Sequence, residues 1–537
     1  MSRIVCWRLL TLAVVLGTVG PIPLYMRGAN DRGAIGGIVK DSTGKAVDGA
    51  SVMAKNLDRG LSVTVISQEQ GRYTAPNLLP GKYEVKAWGG GFRTDPSRTV
   101  ELSAGQTAKA DLSLAKLQDI ATMNISQTAA LMPEGEGKTI IVSLCTDCHK
   151  QGLYPIVARR LDRNGWGAIV KLMKSRPYGI VRSLDIFEDQ EQIVLDYLAK
   201  NYGPDTPPLD PEKSIPRVWV KGEAAKGVVT EYDLPAKASP HDVAVDSKGI
   251  GWVSEGGHGV IGRFDPNTFT YTRFPLPDGK SDATAIGVDP KDHVWVFDGS
   301  NNRLVEYDPQ ANSFTSYPMP ADKARVGANT IRFHPNGTVW FTGIASNQVV
   351  RVDPKTKEVK LWMVPSGVRL NTSVNPYGMA IDPSGMIWFA ERRTDKMAKV
   401  EPRTGEITEF DIPTKGAVLR RMAADKDGNL WFGEYGGVGK LAKIDYRTGK
   451  VTEYPTPTKY SGAYSVDVDK TNHKIWFNEM MGNNIARFDP RAGTFEEYPV
   501  PSPLSSIRRI EVDQTRLTRV WYGGLHTDRV GFLDIPK

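Results

Sequence analysis

From residue 228 onward the chain alternates short apolar and polar runs, and the same pattern returns seven times. Each repeat contains an apolar run built around one tryptophan, and these tryptophans lie 43 to 48 residues apart: Trp252, Trp295, Trp340, Trp388, Trp431, Trp476 and Trp521. That period is typical of a four-stranded sheet repeated around a ring. The pattern predicts a seven-bladed β-propeller over residues 228–537.

The order of a second repeated element predicts how the ring closes. Strands of the type "TEYDLP" also occur seven times, but the first of them, at Thr230, precedes the first tryptophan, and the chain ends one strand after Trp521. The N-terminal strand must therefore supply the outer edge of the last blade. We expect Thr230 to Leu234 to pair beside the strand near Val530 to Asp534, which leaves no unpaired edge between the two blades.

Residues 33–115 show a different β pattern, with short alternating runs separated by Gly, Asp, Asn and Pro turns. This pattern indicates an antiparallel sandwich of about seven strands. The stretches "GxVxDxxGxxxxGAxV" from Gly37 and "GRYTAPNLLPGKYEV" from Gly71 resemble the carboxypeptidase regulatory-like (transthyretin-like) domain. The resemblance implies an accessory binding or spacing module without catalysis.

Residues 130–205 change to helical periodicity and carry a redox motif. The runs "RLDRNGWGAIVKLMKS" and "DQEQIVLDYLAKNYG" place apolar residues at helical spacing. Before them stands Cys145-Thr-Asp-Cys148-His149, the spacing at which two thiols bind the vinyl groups of haem c and the histidine binds the iron. A disulfide across so small a loop would constrain little chain, and a closed zinc site needs four ligands. The segment resembles the mono-haem cytochrome c fold and predicts a small all-α domain with one covalent haem.

The sixth iron ligand is assigned by exclusion. Between His149 and the first propeller repeat there is no other histidine and only one methionine, Met173. Methionine is a usual distal ligand in electron carriers. Met173 is therefore the predicted ligand, and the alternative is that it fills the core and leaves the iron open.

Residues 206–227, which are rich in proline at their start, are interpreted as a stiff linker that tethers this domain to the propeller.

Residues 1–29 have the form of an export signal. Arginines precede an apolar run from Leu9 to Val19, which is shorter than a membrane-spanning helix. We expect export to the periplasm or beyond, with cleavage near Gly20 or Ala29 and no transmembrane span in the mature chain; the alternative is an uncleaved anchor.

The formal charge of +7 is scattered along the chain, without a block of basic residues, so no nucleic-acid partner is expected.

The propeller repeat "IWFxE…GNNIARFDPRAGTFEEYPVP" resembles the streptogramin (virginiamycin B) lyase family. That resemblance implies a Mg²⁺-assisted elimination that opens a lactone, with two histidines and a metal-binding glutamate at adjacent blades. Here His241 matches the first histidine, but Ser239 replaces a glutamate, Arg508 replaces the other histidine, and Glu255 is shifted by one residue. Lyase chemistry by His241 and Glu255 is therefore an alternative, as is a non-catalytic surface binding protein. Electron transfer to a redox partner protein or a small-molecule substrate is favoured.

Residues at the starts of the inner strands predict a ligand site at the mouth of the ring. Polar, aromatic and cationic side chains should converge there on a small anionic or carbonyl-bearing ligand: His241, Tyr377, Arg420, Tyr464 and Arg508. The alternative is a water-filled channel. His258 and His526 are expected near His241 and Glu255, as a second divalent-metal or proton-handling site or as unrelated exposed histidines. The acids after the tryptophans repeat in most blades, which indicates a structural role.

Overall fold

The computed structural model describes residues 31–147, 152–175, 177–178, 181–182, 186, 188–320 and 325–536. The predicted export signal lies outside these residues, as do Cys148 and His149. Among the described residues, no helix combines the length and the apolar character that crossing a membrane requires.

The N-terminal module is a β-sandwich of nine strands, two more than expected. Their order in the sheet is β3-β2-β5-β6-β9-β1-β4, with β7 beside β5 and β8 beside β1. The core comes from alternating apolar positions such as Val39, Val52 and Val85. The strands are β1 (Gly33–Asp41), β2 (Ser51–Asn56), β3 (Leu61–Ile66), β4 (Arg72–Leu78), β5 (Gly81–Gly89), β6 (Phe92–Thr94), β7 (Arg98–Leu102), β8 (Thr107–Lys109) and β9 (Leu112–Leu117).

A helical module follows, together with one hairpin of two-residue strands. The helix α2 crosses α5 closely at Gly137, where an added Cβ would lie 2.3 Å from the Cβ of Tyr197. Trp166 and Leu198 belong to the same buried core. The elements are α1 (Ile125–Leu131), α2 (Glu136–Leu144), α3 (Tyr154–Val157), α4 (Arg163–Ser175), β10 (Pro177–Tyr178), β11 (Val181–Arg182), α5 (Glu188–Asn201) and α6 (Pro211–Ser214). The identity of this module as a cytochrome c domain stays a prediction.

The propeller contains six self-contained sheets of four antiparallel strands. Blades one to three are β13 (Pro240–Val245), β14 (Gly251–Glu255), β15 (Val260–Asp265) and β16 (Thr270–Pro275); β17 (Ala283–Val288), β18 (Val294–Asp298), β19 (Arg303–Asp308) and β20 (Ser313–Pro318); β21 (Ala328–Phe333), β22 (Val339–Gly343), β23 (Gln348–Val352) and β24 (Val359–Met363). Blades four to six, preceded by α7 (Pro365–Arg369), are β25 (Pro376–Ile381), β26 (Ile387–Glu391), β27 (Lys396–Val400) and β28 (Ile407–Asp411); β29 (Leu419–Ala424), β30 (Leu430–Glu434), β31 (Lys440–Ile444) and β32 (Val451–Pro455); β33 (Ala463–Asp469), β34 (Lys474–Glu479), β35 (Asn484–Asp489) and β36 (Thr494–Pro499).

The prediction of seven separate blades is corrected to six. The four strands expected to form the seventh blade are part of a 13-stranded sheet that runs on into the sandwich. They are β37 (Ile507–Val512), β38 (Arg519–Gly524), β39 (Arg529–Asp534) and β12 (Val228–Asp233). The physical reason is that β12 would otherwise expose an open sheet edge, and β3 of the sandwich pairs with that edge.

The predicted closing pair of strands is present. The strand β12 pairs antiparallel with β39, with Thr230 opposite Phe532 and Tyr232 opposite Val530. The inner strand β37 contacts both β33 and β13, so the last sheet lies between the sixth blade and the first. The order of repeats along the chain therefore predicted this pairing, although it did not predict the extension into the sandwich.

A buried carboxylate fixes this closure. Glu231 on β12 is 1% exposed and accepts hydrogen bonds from the Tyr522 hydroxyl (2.9 Å), the Ser502 hydroxyl (2.8 Å) and Arg529 Nη1 (3.1 Å). We expect Glu231→Ala to lower the free energy of unfolding by about 2–4 kcal/mol, because it leaves the buried hydroxyls of Tyr522 and Ser502 without their acceptor, while Arg529 keeps its second carboxylate partner, Asp233. Urea unfolding measures this. The matched control Glu223→Ala, in an exposed ion pair with Lys226, should change it by less than about 1 kcal/mol; equal effects would contradict the role of Glu231.

The predicted tether is instead packed on both sides. Arg160 of the helical module donates to the carbonyl oxygens of Thr206 (2.8 Å) and Pro207 (2.6 Å). Further along, the ring of Trp219 packs at Gly89 and Gly90 of the sandwich, and the amide of Gly90 donates to the carbonyl of Val218 at 3.1 Å. The segment includes the short helix α6, and its side chains and carbonyls form a packing surface rather than a free spacer.

Candidate functional site at the propeller mouth

The predicted mouth residues occupy equivalent positions. His241, Tyr377, Arg420, Tyr464 and Arg508 are each the second residue of an inner strand. In each of these strands the pairing register with the second strand of the sheet shifts directly after the first residue, for example between Pro376 and Met379. Such a bulge redirects a side chain out of the regular alternation.

Four of these side chains form one buried cluster. The hydroxyls of Tyr377 and Tyr464 are hydrogen-bonded to each other, and Arg508 Nη1 donates to the Tyr464 hydroxyl at 2.7 Å. The Arg420 guanidinium lies 5.2 Å from the ring centre of Tyr377, 4.9 Å from that of Tyr464 and 4.2 Å from that of Tyr435. Tyr464 is fully buried and Arg420 is 2% exposed. The cluster is therefore a packed, cationic and aromatic layer instead of the open mouth that the sequence predicted.

The fifth residue, His241, is engaged separately. Its Nδ1 lies 2.9 Å from the carboxylate of Asp242, which also accepts from Arg421 Nη2 at 2.8 Å. Burial would raise the pKa of Asp242, but the charges of Arg421 and His241 outweigh it and lower that pKa to about 2. Asp242 therefore stays ionised and holds the His241 ring in place.

Of the expected group of His241, Glu255, His258 and His526, the structure brings Glu255 and His258 together, but among the described residues no three of the four place donor atoms within 4.8 Å of one another. Glu255 is fully buried and accepts from Arg273 at 2.8 and 3.0 Å and from the Tyr271 hydroxyl at 2.7 Å, while His258 Nδ1 lies 2.9 Å away. His526 lies near Arg508, as expected: burial, and then the Arg508 charge, lower the pKa of His526 to about 4. The outer-strand Arg273 thus ties Glu255 to the structure of its own blade.

The structure also brings together three potential metal ligands that the sequence did not predict as a group. In the part of the chain that the structure describes, Asp289, His293 and Glu306 are the one set of three such residues whose donor atoms lie within 4.8 Å of one another. His293 Nδ1 lies 2.7 Å from Glu306, and Asp289 already accepts from the Trp295 indole at 3.1 Å. The Asp–Trp contact recurs in other blades, so Asp289 is part of the repeat. His293 and Glu306 distinguish this blade, because the residue opposite the tryptophan on the third strand is an arginine or a lysine in the other five self-contained blades.

The repeated acids pair with carboxyls of the outer strands. Glu391, Glu434 and Glu479 face Glu409, Glu453 and Glu497, respectively. The outer-strand carboxyls also bind the loop that arrives from the preceding blade. Glu497, for instance, accepts a hydrogen bond from the amide of Thr458 at 2.9 Å. Burial, and then the neighbouring charge of Glu453, raise the pKa of Glu434 to about 8. Burial likewise raises the pKa of Glu391 to about 7 and raises that of Glu479, so the inner carboxyl of each pair keeps a proton shared with its outer partner to a higher pH than a free carboxyl does. The pairs therefore serve the blade structure.

This arrangement predicts a pH-dependent stability. The pKa of Glu434 is raised in the fold, so the unfolded chain loses its proton first and the stability falls as pH rises from about 4.5 to about 8. We expect Glu434→Gln to remove part of this fall and to stabilise the protein at pH 8.5, relative to the native sequence, by about 1–3 kcal/mol. Thermal unfolding at pH 5 and pH 8.5 measures the difference. The exposed Glu406→Gln is the control, and an unchanged pH slope in Glu434→Gln would contradict the shared proton.

The cysteine motif begins against this mouth. Cys145 directly follows α2, and Thr146, between the two cysteines, is fully buried. Its hydroxyl donates to the carbonyl of Val142 at 2.6 Å and accepts from the Tyr435 hydroxyl at 3.1 Å. Two residues before Cys145, the hydroxyl of Ser143 accepts from the amide of Gly437 at 3.0 Å. The motif thus starts on the layer that contains Tyr435, Arg420 and Tyr464.

Further contacts fix the helical module on the sixth blade. The amide of Ser126 donates to the carbonyl of Met481 at 3.1 Å, and Asn124 Nδ2 donates to the carbonyl of Gly482 at 2.8 Å. Sequence reasoning missed this docking. The available signal was Tyr435, which directly follows the repeated acid of its blade. The equivalent positions in the first, fourth and sixth blades hold no aromatic residue; they are Gly256, Arg392 and Met480.

Of the remaining predicted haem residues, Cys148 and His149 lie outside the described residues. Met173 lies near the end of α4 and is half-buried. Its assignment as an iron ligand stays a prediction.

Comparison with known proteins agrees with the geometry of the ring. Residues 269–536 match the virginiamycin B lyase family. Residues 34–115 match the carboxypeptidase regulatory-like domain, as the sequence pattern predicted. No curated protein matches the chain.

Solved virginiamycin B lyases share the propeller fold. The selenomethionine-substituted enzyme from Staphylococcus aureus is 22% identical with a TM-score of 0.52, over 58% of this chain and 100% of that one. A catalytically inactive histidine-to-alanine variant of the enzyme from the same organism, solved with quinupristin, gives the same values. A streptogramin B lyase structure is 21% identical with a TM-score of 0.52, over 58% of this chain and 98% of that one. At this identity the likeness to virginiamycin B lyase establishes the fold alone.

Proposed function

We propose that this chain is an exported c-type cytochrome that carries one covalent haem at the mouth of a virginiamycin B lyase-like propeller and transfers electrons to or from a bound partner or small molecule. The observation that carries the proposal is the motif Cys145-Thr-Asp-Cys148-His149 at the end of a helix docked on that mouth. The two thiols and one imidazole are the donor set that haem c takes.

The described residues fit such a group. The motif starts where α2 ends, and α2 is held against α5 by the close approach of Gly137 and Tyr197. Apolar residues of α3 and α4 line the same core, among them Val157, Trp166 and Val170. Cys145 and Cys148 would hold the porphyrin, and His149 with Met173 would bind its iron. Haem supplies reversible one-electron chemistry when bound.

The propeller residues position the attachment loop. Thr146 is held between the Val142 carbonyl and the Tyr435 hydroxyl, which fixes the start of the attachment motif against the ring. The packed layer beneath it, with Tyr464 fully buried, keeps bulk water from that side. Exclusion of water and a nearby cationic charge both favour the less positive, reduced state of an iron centre. Arg420 and Arg508 supply such charge within this layer.

A second candidate function is lyase chemistry, favoured by the family match over residues 269–536. His241 remains half-buried beside Asp242, an arrangement suited to a proton-accepting histidine. Against it, the Glu255 carboxylate is occupied by Arg273 and Tyr271, and Arg508 brings positive charge where the family resemblance places a histidine. Incubating the full chain with quinupristin and measuring ring opening by mass spectrometry tests it: opening lost in His241→Ala would establish the lyase, and no opening would exclude it.

The electron-transfer proposal is tested by the absorption spectrum of the chain matured in an export-competent host with haem available. We expect a haem c difference spectrum between the dithionite-reduced and the oxidised protein. Its absence would contradict the proposal.

A further inference from the structure

One cation at the mouth has an unused hydrogen-bonding edge. Arg508 is 9% exposed, and among the described residues its side chain donates only from Nη1, to the Tyr464 hydroxyl at 2.7 Å. Its buried Nε has no hydrogen-bond partner there. Burial lowers the pKa of Arg508 to about 10, and no described carboxylate opposes that shift. An unsatisfied buried donor of this kind is costly unless something binds it.

A second unsatisfied nitrogen lies in the same surroundings. The buried Nδ1 of His526 also has no partner within the described chain. The charged groups that act on the His526 ring are Arg508 and Asp528. Asp528 is already used, because its carboxylate accepts from the amides of Lys237 and Ser239, each at 2.8 Å. His526 therefore lies within reach of the Arg508 charge, and the carboxylate nearby is already held by two backbone amides.

We propose that Arg508 and His526 form a carboxylate-binding site. With Nη1 committed to Tyr464, the Nε–Nη2 edge of the guanidinium remains for two coplanar oxygens, which is the geometry that arginine offers a carboxylate. His526, once protonated by the arrival of a negative charge, donates to the same group. Tyr464 orients the guanidinium and so positions the site.

The site lies near the part of the chain that follows the proposed haem-binding motif. Leu504, on the loop before β37, is near Gly152, three residues after His149; a Cβ added to Gly152 would lie 4.0 Å from Leu504 Cδ2. Two sources could supply the carboxylate: a free small organic acid, or a propionate of the haem itself. The second source rests on the proposed function, and the first does not.

Acetate binding to the full-length chain tests the site by isothermal titration calorimetry. We expect the haem-free chain to bind acetate, and Arg508→Gln to weaken that binding at least tenfold. Arg508→Lys, which keeps the charge and the fold but not the planar edge, should weaken it nearly as much. The exposed Arg403→Gln is the matched control and should bind like the native sequence. Affinity should rise between pH 7 and pH 5.5, and His526→Gln should remove that rise.

Comparing the haem-free and haem-loaded chains distinguishes the two sources. If both forms bind acetate, the natural ligand of the site is a free organic acid. If only the haem-free form binds acetate, a haem propionate occupies the site in the haem-loaded form. The proposal is overturned if the haem-free chain does not bind acetate, if Arg508→Gln binds it unchanged, or if phosphate binds more tightly than acetate. Intact acetate binding in a chain that takes up no haem would contradict the proposed function and leave this site standing.

Discussion

Replacing Cys145 and Cys148 together with alanine is expected to abolish covalent haem attachment completely. These are two of the three cysteines in the chain, and the third, Cys6, lies in the predicted export signal. Thioether formation needs both thiols at this spacing, and no other pair is available. Denatured protein should lose the haem band in the double variant, as measured by haem-stained gels or by intact mass.

Cys6→Ala is the matched control and should retain the native haem content, because its thiol is distant from the motif in sequence. Circular dichroism of the double variant should show the β-propeller intact, since the blades have their own cores around the repeated tryptophans. Haem that stays covalently bound in the double variant would mean that this motif is not the attachment site.

Met173→Ala should keep the haem attached but lower its reduction potential. Methionine opposite histidine raises the potential of a haem iron, and axial ligands together span about 0.8 V. We expect a decrease on the order of 0.1–0.3 V within that range, together with new binding of imidazole or cyanide to the open iron. Spectroelectrochemical titration measures the potential, and ligand titration measures the opening.

The adjacent Leu172, 40% exposed on the same helix, provides the control for Met173. Leu172→Ala should leave both the potential and the ligand affinity unchanged. If Met173→Ala behaves like Leu172→Ala, the methionine is core filler and the iron has another sixth ligand or none.

The sequence predicted the ring well because each blade repeats the same local chemistry. In four of the repeats a tryptophan indole donates to an aspartate six residues earlier, as between Trp388 and Asp382 at 2.8 Å, and this contact leaves a recurring pattern in the chain. The closing strand could be predicted for a related reason: the order of repeats left one outer strand over at the start. These features are periodic, so a single sequence shows them.

The errors lie where one module meets another. The pairing of β12 with β3 joins the last propeller sheet to the sandwich. The sequence of an edge strand does not indicate which strand of another module will pair with it. The docking of the helical module depends on single contacts such as Thr146 with Tyr435, which no period reveals. The candidate mouth residues were found from their repeat position, whereas their burial depends on the module packed over them.

This packing changes how the molecule would work. A tethered cytochrome could reach partners at a distance, whereas a motif fixed by Thr146 on the mouth places any haem next to Tyr435, Arg420 and Tyr464. In the proposed function, the propeller would then act on the redox centre directly, through its charge and through the exclusion of water. The sandwich stabilises the closure of the ring and contributes no described residue to this cluster.

The proposed function requires one haem bound covalently at Cys145 and Cys148. The most direct measurement is mass spectrometry of the proteolytic peptide containing residues 145–149, from the chain matured with haem available in an export-competent host. The account predicts that this peptide carries the added mass of one haem and that both of its cysteines resist alkylation. Recovery of the unmodified peptide, with both cysteines alkylated, would contradict it.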